Sequence, residues 1–381
     1  MATTMTDPIL LTPGPLTTSS TIKEAMLRDW GSRDNAFIAI NKRIRDRLVE
    51  MVGATGTHVC VPVQGSGTFA IEATIGTLLR RDGKLLVLVN GAYGQRMVRI
   101  AQRLERTVTA IETDEDTPVS PADLDVELES DPTISHVAVV HCETTSGILN
   151  PIAKVAEVCQ RHGRALLIDS MSAFGALPLD VRTVPFQAAV ASSNKCLEGV
   201  PGMGFAIIRK DALEASEGNA SSLSLDLFDQ WQGLEKNGQW RFTPPTHVIA
   251  AFDQALEEHA EEGGVPGREA RYRRNHRTLV DGMTGLGFET LVPDTLQAPI
   301  IVTFLMPADQ RFHFETFYAR LRDKGFVIYP GKLTVADSFR IGCIGRINEN
   351  DIRAALGAIG ETLAEMGVKS CAPARKMEVA E

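Results

Sequence analysis

Cysteine is scarce in this 381-residue chain, and none of its six copies sits in a CxxC pair. They are scattered at 60, 142, 159, 196, 343 and 371, which argues against a disulfide framework or a zinc site. Reduced, packed thiols in a cytosol-like compartment fit that pattern. Cys142 and Cys196 read as packing, since neither has a base beside it in sequence. Long apolar runs are also missing. LLVLV at 85–89 is among the longest and is far too short to cross a bilayer. The N-terminal MATTMTDP lacks a basic n-region and an apolar h-region, so no secretory signal is expected. Nor is positive charge in excess: 39 Lys and Arg against 48 Asp and Glu leave a net −9, with no basic footprint for nucleic acid. No internal repeat or long low-complexity tract appears.

What is present is an alternation. HVCVPV (58–63) gives way to TFAIEATIGTLLRR, KLLVLV to GQRMVRIAQRL, and ISHVAVV (134–140) to PIAKVAEVCQRHG. RALLID (164–169), AAVAS and MGFAIIR follow as further strands. Strand and helix in alternation imply crossover connections and an α/β fold with a mainly parallel sheet covered on both faces. Such sheets bind ligands beyond the carboxyl ends of their strands. A charged stretch, EEHAEEGGVPG (257–267), then breaks the pattern. A basic helix after it reads as a solvated face and leads to a smaller α+β block ending in a helix from about Asn348. The expected division is an arm over 1–19, a large domain over 20–264, a small one over 265–368 and a frayed tail over 369–381.

Four loops after strands carry candidate chemistry. In QGSGTFAIEA (64–73), Ser66, Gly67 and Thr68 open a helix, where free N–H groups and the helix dipole favour an anion. An ordinary turn is the plain alternative. The loop is neither a Walker A sequence nor a full GxGxxG fingerprint. NGAYGQRM (90–97) sets Tyr93 between glycines, either as a half-buried aromatic or as a flat face for a ligand ring. Asp169 ends an apolar strand, where a carboxylate needs a cationic or hydrogen-bonding partner. A helix cap there is the alternative, and Ser170 or Ser172 could serve as that cap. In SSNKCLEGVPG (192–202), Lys195 sits at a strand mouth, where desolvation makes an amine nucleophilic and suits Schiff-base chemistry. One cofactor uses all four loops. Pyridoxal 5′-phosphate (PLP) needs a phosphate cup, a stacking face, a carboxylate for its pyridine nitrogen and a lysine for its aldehyde.

The same segments, with LLTPGPLTTS, HCETTSGILNP, SLSLDLFDQW, WRFTPPTH, GFVIYPGK and FRIGCIG, resemble the fold-type-I PLP enzymes over residues 10 to about 346. Within these the chain is similar to the alanine–glyoxylate/serine–pyruvate branch of the class V aminotransferases, and in that branch to transaminases acting on 2-aminoethylphosphonate and pyruvate. The resemblance implies a seven-stranded, mostly parallel sheet and a homodimer with active sites at the subunit interface. Lys195 would bond the cofactor aldehyde and Asp169 would pair with the ring nitrogen. Ser66, Gly67 and Thr68, helped by Ser193, would hold the phosphate. Thr144 or Thr145 would lie near the phenolic oxygen, and Thr243 would reach the phosphate of the partner subunit. Tyr93 stands where relatives carry a stacking tryptophan. Arg340, in FRIGCIG, would fork onto the substrate's acid group. Arg33 would add a second positive charge, with an ion pair to Asp29 or Asp34 as its alternative.

The rival activities on this scaffold are alanine–glyoxylate or serine–pyruvate transamination. Desulfuration would want a mobile catalytic cysteine, and Cys343 is a poor candidate. A PLP-binding regulator would normally append a DNA-binding module, for which neither terminus has room.

Overall fold

The computed structural model describes residues 7–331 and 336–374. Residues 1–6 of the expected arm, Lys332 of GFVIYPGK and residues 375–381 of the expected tail lie outside these. In chain order the first elements are β1 (Ile9–Leu10), α1 (Ser20–Glu24), α2 (Asn35–Met51), β2 (His58–Gly65), α3 (Gly67–Leu78), β3 (Lys84–Val89) and α4 (Ala92–Arg103). Next come β4 (Thr107–Glu112), α5 (Pro121–Ser130), β5 (Ile134–Val140), β6 (Cys142–Glu143), β7 (Ile148–Leu149), α6 (Ile152–Arg161) and β8 (Ala165–Asp169). Then follow β9 (Ala188–Ser192), β10 (Gly202–Arg209), α7 (Lys210–Glu214), α8 (Leu227–Asn237), α9 (Thr246–Glu261) and α10 (Gly264–Gly285). The last are β11 (Ile301–Leu305), α11 (Phe314–Asp323), β12 (Phe326–Val327), β13 (Tyr329–Pro330), β14 (Ser338–Gly342) and α12 (Glu349–Met366).

Seven strands form the central sheet in the order β2-β10-β9-β8-β5-β3-β4. All run parallel except β10, which is antiparallel to both β2 and β9. Because side chains alternate along a strand, each strand feeds two cores. Leu86, Leu88, Val137, Val139, Leu166 and Ile168 face one core, and Leu85, Val87, Ala138, Val140 and Leu167 the other. That two-sided burial explains the continuous apolar runs. The edge strand β4, TVTAIE, is half-buried and was not singled out in the sequence. As the crossovers require, the carboxyl ends of β3, β5, β8 and β9 and the N-termini of α3 and α4 meet along one rim.

The C-terminal block is a three-stranded antiparallel sheet, β11-β14-β13, whose core is shared with α10, α11 and α12. A capping box starts α12: Asn348 accepts from the first-turn backbone, and the Asp351 carboxylate accepts the Asn348 N–H. Ile352, Ile359 and Leu363 are buried along its inner face, and Leu356 is partly buried.

Two expectations need correction. The basic helix is not wholly solvated: Arg268 is 1 % exposed and Arg271 is largely covered. Their charges are tolerated because Glu198 and Glu262 pair with both, and Arg268 Nη1 also donates to the Cys196 carbonyl. Nor do residues 369–374 fray. Cys371 is buried in the C-terminal core, the Lys369 N–H donates to Asp309, and the Ala308 N–H donates to the Ala372 carbonyl. A segment without periodicity can still be held by irregular backbone bonds.

Candidate active site

Along the rim where the strand ends meet lies a cavity of about 190 Å³. Its wall includes Ser66, Gly67, Thr68, Tyr93, Thr144, Asp169 and Lys195, which the sequence placed on four separate loops and on HCETTSG. Asp169 ends β8 and is buried, and the Met171 N–H donates to its Oδ1 at 3.0 Å. Burial raises its pKa to about 6 from the ordinary 3.8, and the neighbouring Glu143 charge adds to the rise. Across the cavity, Lys195 Nζ donates to the carbonyls of Pro13 (2.6 Å) and Gly14 (3.2 Å). Burial lowers this ammonium's pKa to about 8 from 10.5.

The TPGP turn therefore folds over the lysine. A Cβ on Gly14 would lie 2.6 Å from Lys195 Cδ, and its φ of +102° is one that glycine alone adopts readily. The lysine loop is also anchored from behind. Arg268 holds the Cys196 carbonyl, and Glu198, whose N–H donates to the Lys195 carbonyl, pairs with Arg271 on α10.

At the other end Ser66 is the N-cap of α3 and makes no side-chain capping bond. The first N–H groups of a helix have no partner four residues back, so they and the Ser66 and Thr68 hydroxyls present donors together. Thr68 Oγ1 accepts from Arg96 Nη1 at 3.1 Å. Arg96, on the cavity wall, lies with its guanidinium 4.9 Å from the centre of the Tyr93 ring. Reading the sequence loop by loop missed Arg96. The available signal was its place three residues after Tyr93 on a helix starting at the same rim, which puts both on one face.

Other expected residues fall elsewhere. Ser193 does not line the cavity; its hydroxyl donates to the carbonyls of Val200 (2.6 Å) and Met203 (3.1 Å), and Ser192 lines the wall instead. Successive residues leaving a strand point oppositely, so one position decides which serine faces the ligand. Thr145 is also turned away from the cavity, its hydroxyl donating to Glu143 Oε1 at 2.6 Å. Arg340, on β14, is 2 % exposed and stands behind the wall. Its Nη1 donates to the Thr144 carbonyl (2.7 Å), and Nε and Nη2 donate to that of Pro330. Its charge nonetheless contributes to lowering the Lys195 pKa. Arg33 and Thr243 are exposed and line one surface cleft away from this cavity. Cys142 lines the cavity with its thiol pushed well up by burial, and Cys343 is buried with its thiol raised likewise. Neither has thiolate character.

PLP fits these residues end to end: a desolvated amine for the aldehyde, a buried carboxyl for the ring nitrogen, an aromatic face and a cup of N–H and O–H donors. Among the described residues no cluster of His, Cys, Asp or Glu could hold a metal. No described helix is long and apolar enough to cross a membrane.

Known proteins resemble the chain over nearly its whole length. A 2-aminoethylphosphonate–pyruvate transaminase of Cupriavidus necator is 57% identical over 96% of this chain and 97% of its own. A protein of the same name from Pseudomonas putida is 55% identical over 95% and 98%. Among solved structures, alanine–glyoxylate aminotransferase of a Nostoc species superposes with a TM-score of 0.88 at 24% identity, over 95% of this chain and 97% of the other. Pyridoxamine–pyruvate aminotransferase of Mesorhizobium loti gives 0.87 at 24%, over 96% and 94%. The profile of the family Aminotransferase class-V matches residues 2–344, and the chain belongs to that family of PLP-dependent enzymes.

Proposed function

We propose that this aminotransferase moves the amino group of 2-aminoethylphosphonate to pyruvate, giving phosphonoacetaldehyde and L-alanine. The observation that carries the reading is the single cavity lined by a desolvated Lys195, a buried Asp169 and Arg96, with Arg340 behind its wall. Relatives at 54–57% identity that bear this activity in their names support the choice of substrate.

In this reading Lys195, Asp169, Ser66, Gly67, Thr68, Tyr93 and Thr144 hold PLP. Bound there, PLP supplies an electron sink for the carbon that carries the substrate nitrogen. Lys195 Nζ takes the proton from that carbon and returns one later in the half-reaction. Its lowered pKa leaves a useful fraction of neutral amine near pH 7.5. Asp169 stabilises positive charge on the ring nitrogen. Arg340 orients the substrate by its acid group, a phosphonate in one half-reaction and a carboxylate in the other. Its three carbonyl bonds fix the plane of the fork and use three of its five N–H groups. Arg96, bonded to Thr68, adds positive charge at the phosphate end.

The active protein is a homodimer in this reading. Exposed Phe69 and Phe242 line an apolar cleft of about 540 Å³ beside the phosphate cup, and burying that patch would remove it from water. Thr243 and Arg33, out of reach of their own cavity, would then serve the partner's. Six free, buried thiols support a reducing, cytoplasmic setting.

The test is a panel of amino donors with pyruvate as acceptor. 2-Aminoethylphosphonate should give the highest kcat/KM. A preference for serine, or for alanine with glyoxylate, would replace the assignment with the rival transaminase.

A further inference from the structure

Glu143 is the least exposed acid on the rim, with no exposed surface, and it does not itself line the cavity. A buried carboxyl is costly unless hydrogen-bonded, so its partners show what it is for. It accepts the Thr145 N–H (3.0 Å) and hydroxyl (2.6 Å) on Oε1, and the Tyr93 N–H (3.2 Å) on Oε2; the Gly94 N–H also favours its charged form. The Thr145 hydroxyl in turn accepts the Ala92 N–H at 3.1 Å. Ala92, Tyr93 and Gly94 are the first three residues of α4. The N-cap of that helix is Gly91, which has no side chain to cap it. A Cβ on Gly91 would lie 2.5 Å from Glu143 Cδ, so the glycine also makes room for this acid.

The cap of α4 is therefore tertiary, supplied by a strand some fifty residues on. Helix N-termini favour such negative groups, and two otherwise orphaned N–H donors, of Ala92 and Tyr93, are satisfied by one Glu–Thr pair. The first turn so fixed carries Tyr93 and, on the next turn, Arg96, both on the cavity wall. On the other side of the pair, Cys142 and Thr144 flank Glu143 in sequence and line the same wall.

We propose that Glu143 is a positioning residue: with Thr145 it caps α4 from β6 and thereby sets the Tyr93 ring against the cofactor. The inference rests on Tyr93 being the stacking face, as argued above. It also gives Thr145 a role different from contact with the cofactor's phenolic oxygen.

The test is a double-mutant cycle on the full chain, read by the PLP dissociation constant of apoprotein and by the visible circular dichroism of the bound cofactor. Tyr93→Ala should weaken PLP by roughly tenfold, from loss of the stacked ring. Glu143→Gln keeps the shape but turns an amide donor toward N–H donors. It should weaken PLP by roughly tenfold in the Tyr93 background and less than about twofold in the Tyr93→Ala background. Thr145→Val, a smaller perturbation, should act in the same direction and be silenced in the same way. It decides the matter if Glu143→Gln does not fold. An equal effect of either variant in both backgrounds, or none in the wild type, overturns the proposal. If Tyr93→Ala alone leaves affinity and dichroism unchanged, the stacking role of Tyr93 has failed first, and the positioning role falls with it.

Discussion

An amine attacks an aldehyde only when it is neutral, so the rate at which apoprotein captures PLP covalently should follow the titration of Lys195. Burial places that titration at about 8, against 10.5 for an ordinary lysine. At pH 7 a pKa of 8 leaves about a tenth of the molecules neutral, whereas 10.5 leaves about three in ten thousand, a ratio of roughly 300. The sign is fixed: deprotonation activates, so the rate rises with pH. It should climb about fivefold from pH 7 to 8, bend near 8 and level off above about 9. Working above pH 7 keeps Asp169, which titrates at about 6, in its charged form throughout. Stopped-flow absorbance of apoprotein mixed with excess PLP measures the profile. Arg340 and Arg96 both contribute to the lowering, so Arg96→Met should move the bend upward. Borohydride reduction of the loaded protein should leave the label on the Lys195 peptide. A profile still rising at pH 10 would refute the desolvation argument, and a label on Lys154 or Lys210 would refute the assignment itself.

Three further outcomes are expected. Asp169→Asn should retain PLP yet lose turnover by roughly 100-fold or more, because a neutral amide no longer stabilises the protonated ring nitrogen; single-turnover kinetics checks it. Arg340→Ala should lower kcat/KM by roughly ten- to a hundredfold for both 2-aminoethylphosphonate and pyruvate. Arg340→Lys should be impaired as well, since it keeps charge without the fork; unimpaired variants would place the anion site at Arg96. Mixed dimers of Lys195→Ala and Thr243→Ala chains should regain about half the wild-type activity per dimer if Thr243 serves the partner's site, since one of two sites is then whole. Activity no higher than that of Thr243→Ala alone would place its role within one chain or nowhere.

Local order was written plainly in the sequence. Continuous apolar runs such as KLLVLV and ISHVAVV specify strands buried on both faces, and glycine and hydroxyl residues directly after β2 specify a helix start with unfilled donors. Lys195 and Asp169 stand out for the same reason: each is a charge placed where an apolar strand stops, and a charge there must be used. Those features depend on short-range chemistry, which a linear reading can follow. What the sequence could not decide was direction and distance. Whether Ser192 or Ser193 faces the ligand depends on a single step of strand alternation at the end of β9. Whether Arg268 is solvated depends on Glu198 and Glu262, acids that only the fold brings to it. Arg33 and Thr243 carry suitable groups but open onto the surface, and Arg96, an unremarked residue of an amphipathic helix, lies on the cavity wall. Glu143 is the clearest case. Its partner Tyr93 lies fifty residues away, and only the parallel pairing of β3 with β5 carries the start of α4 to the acid that caps it.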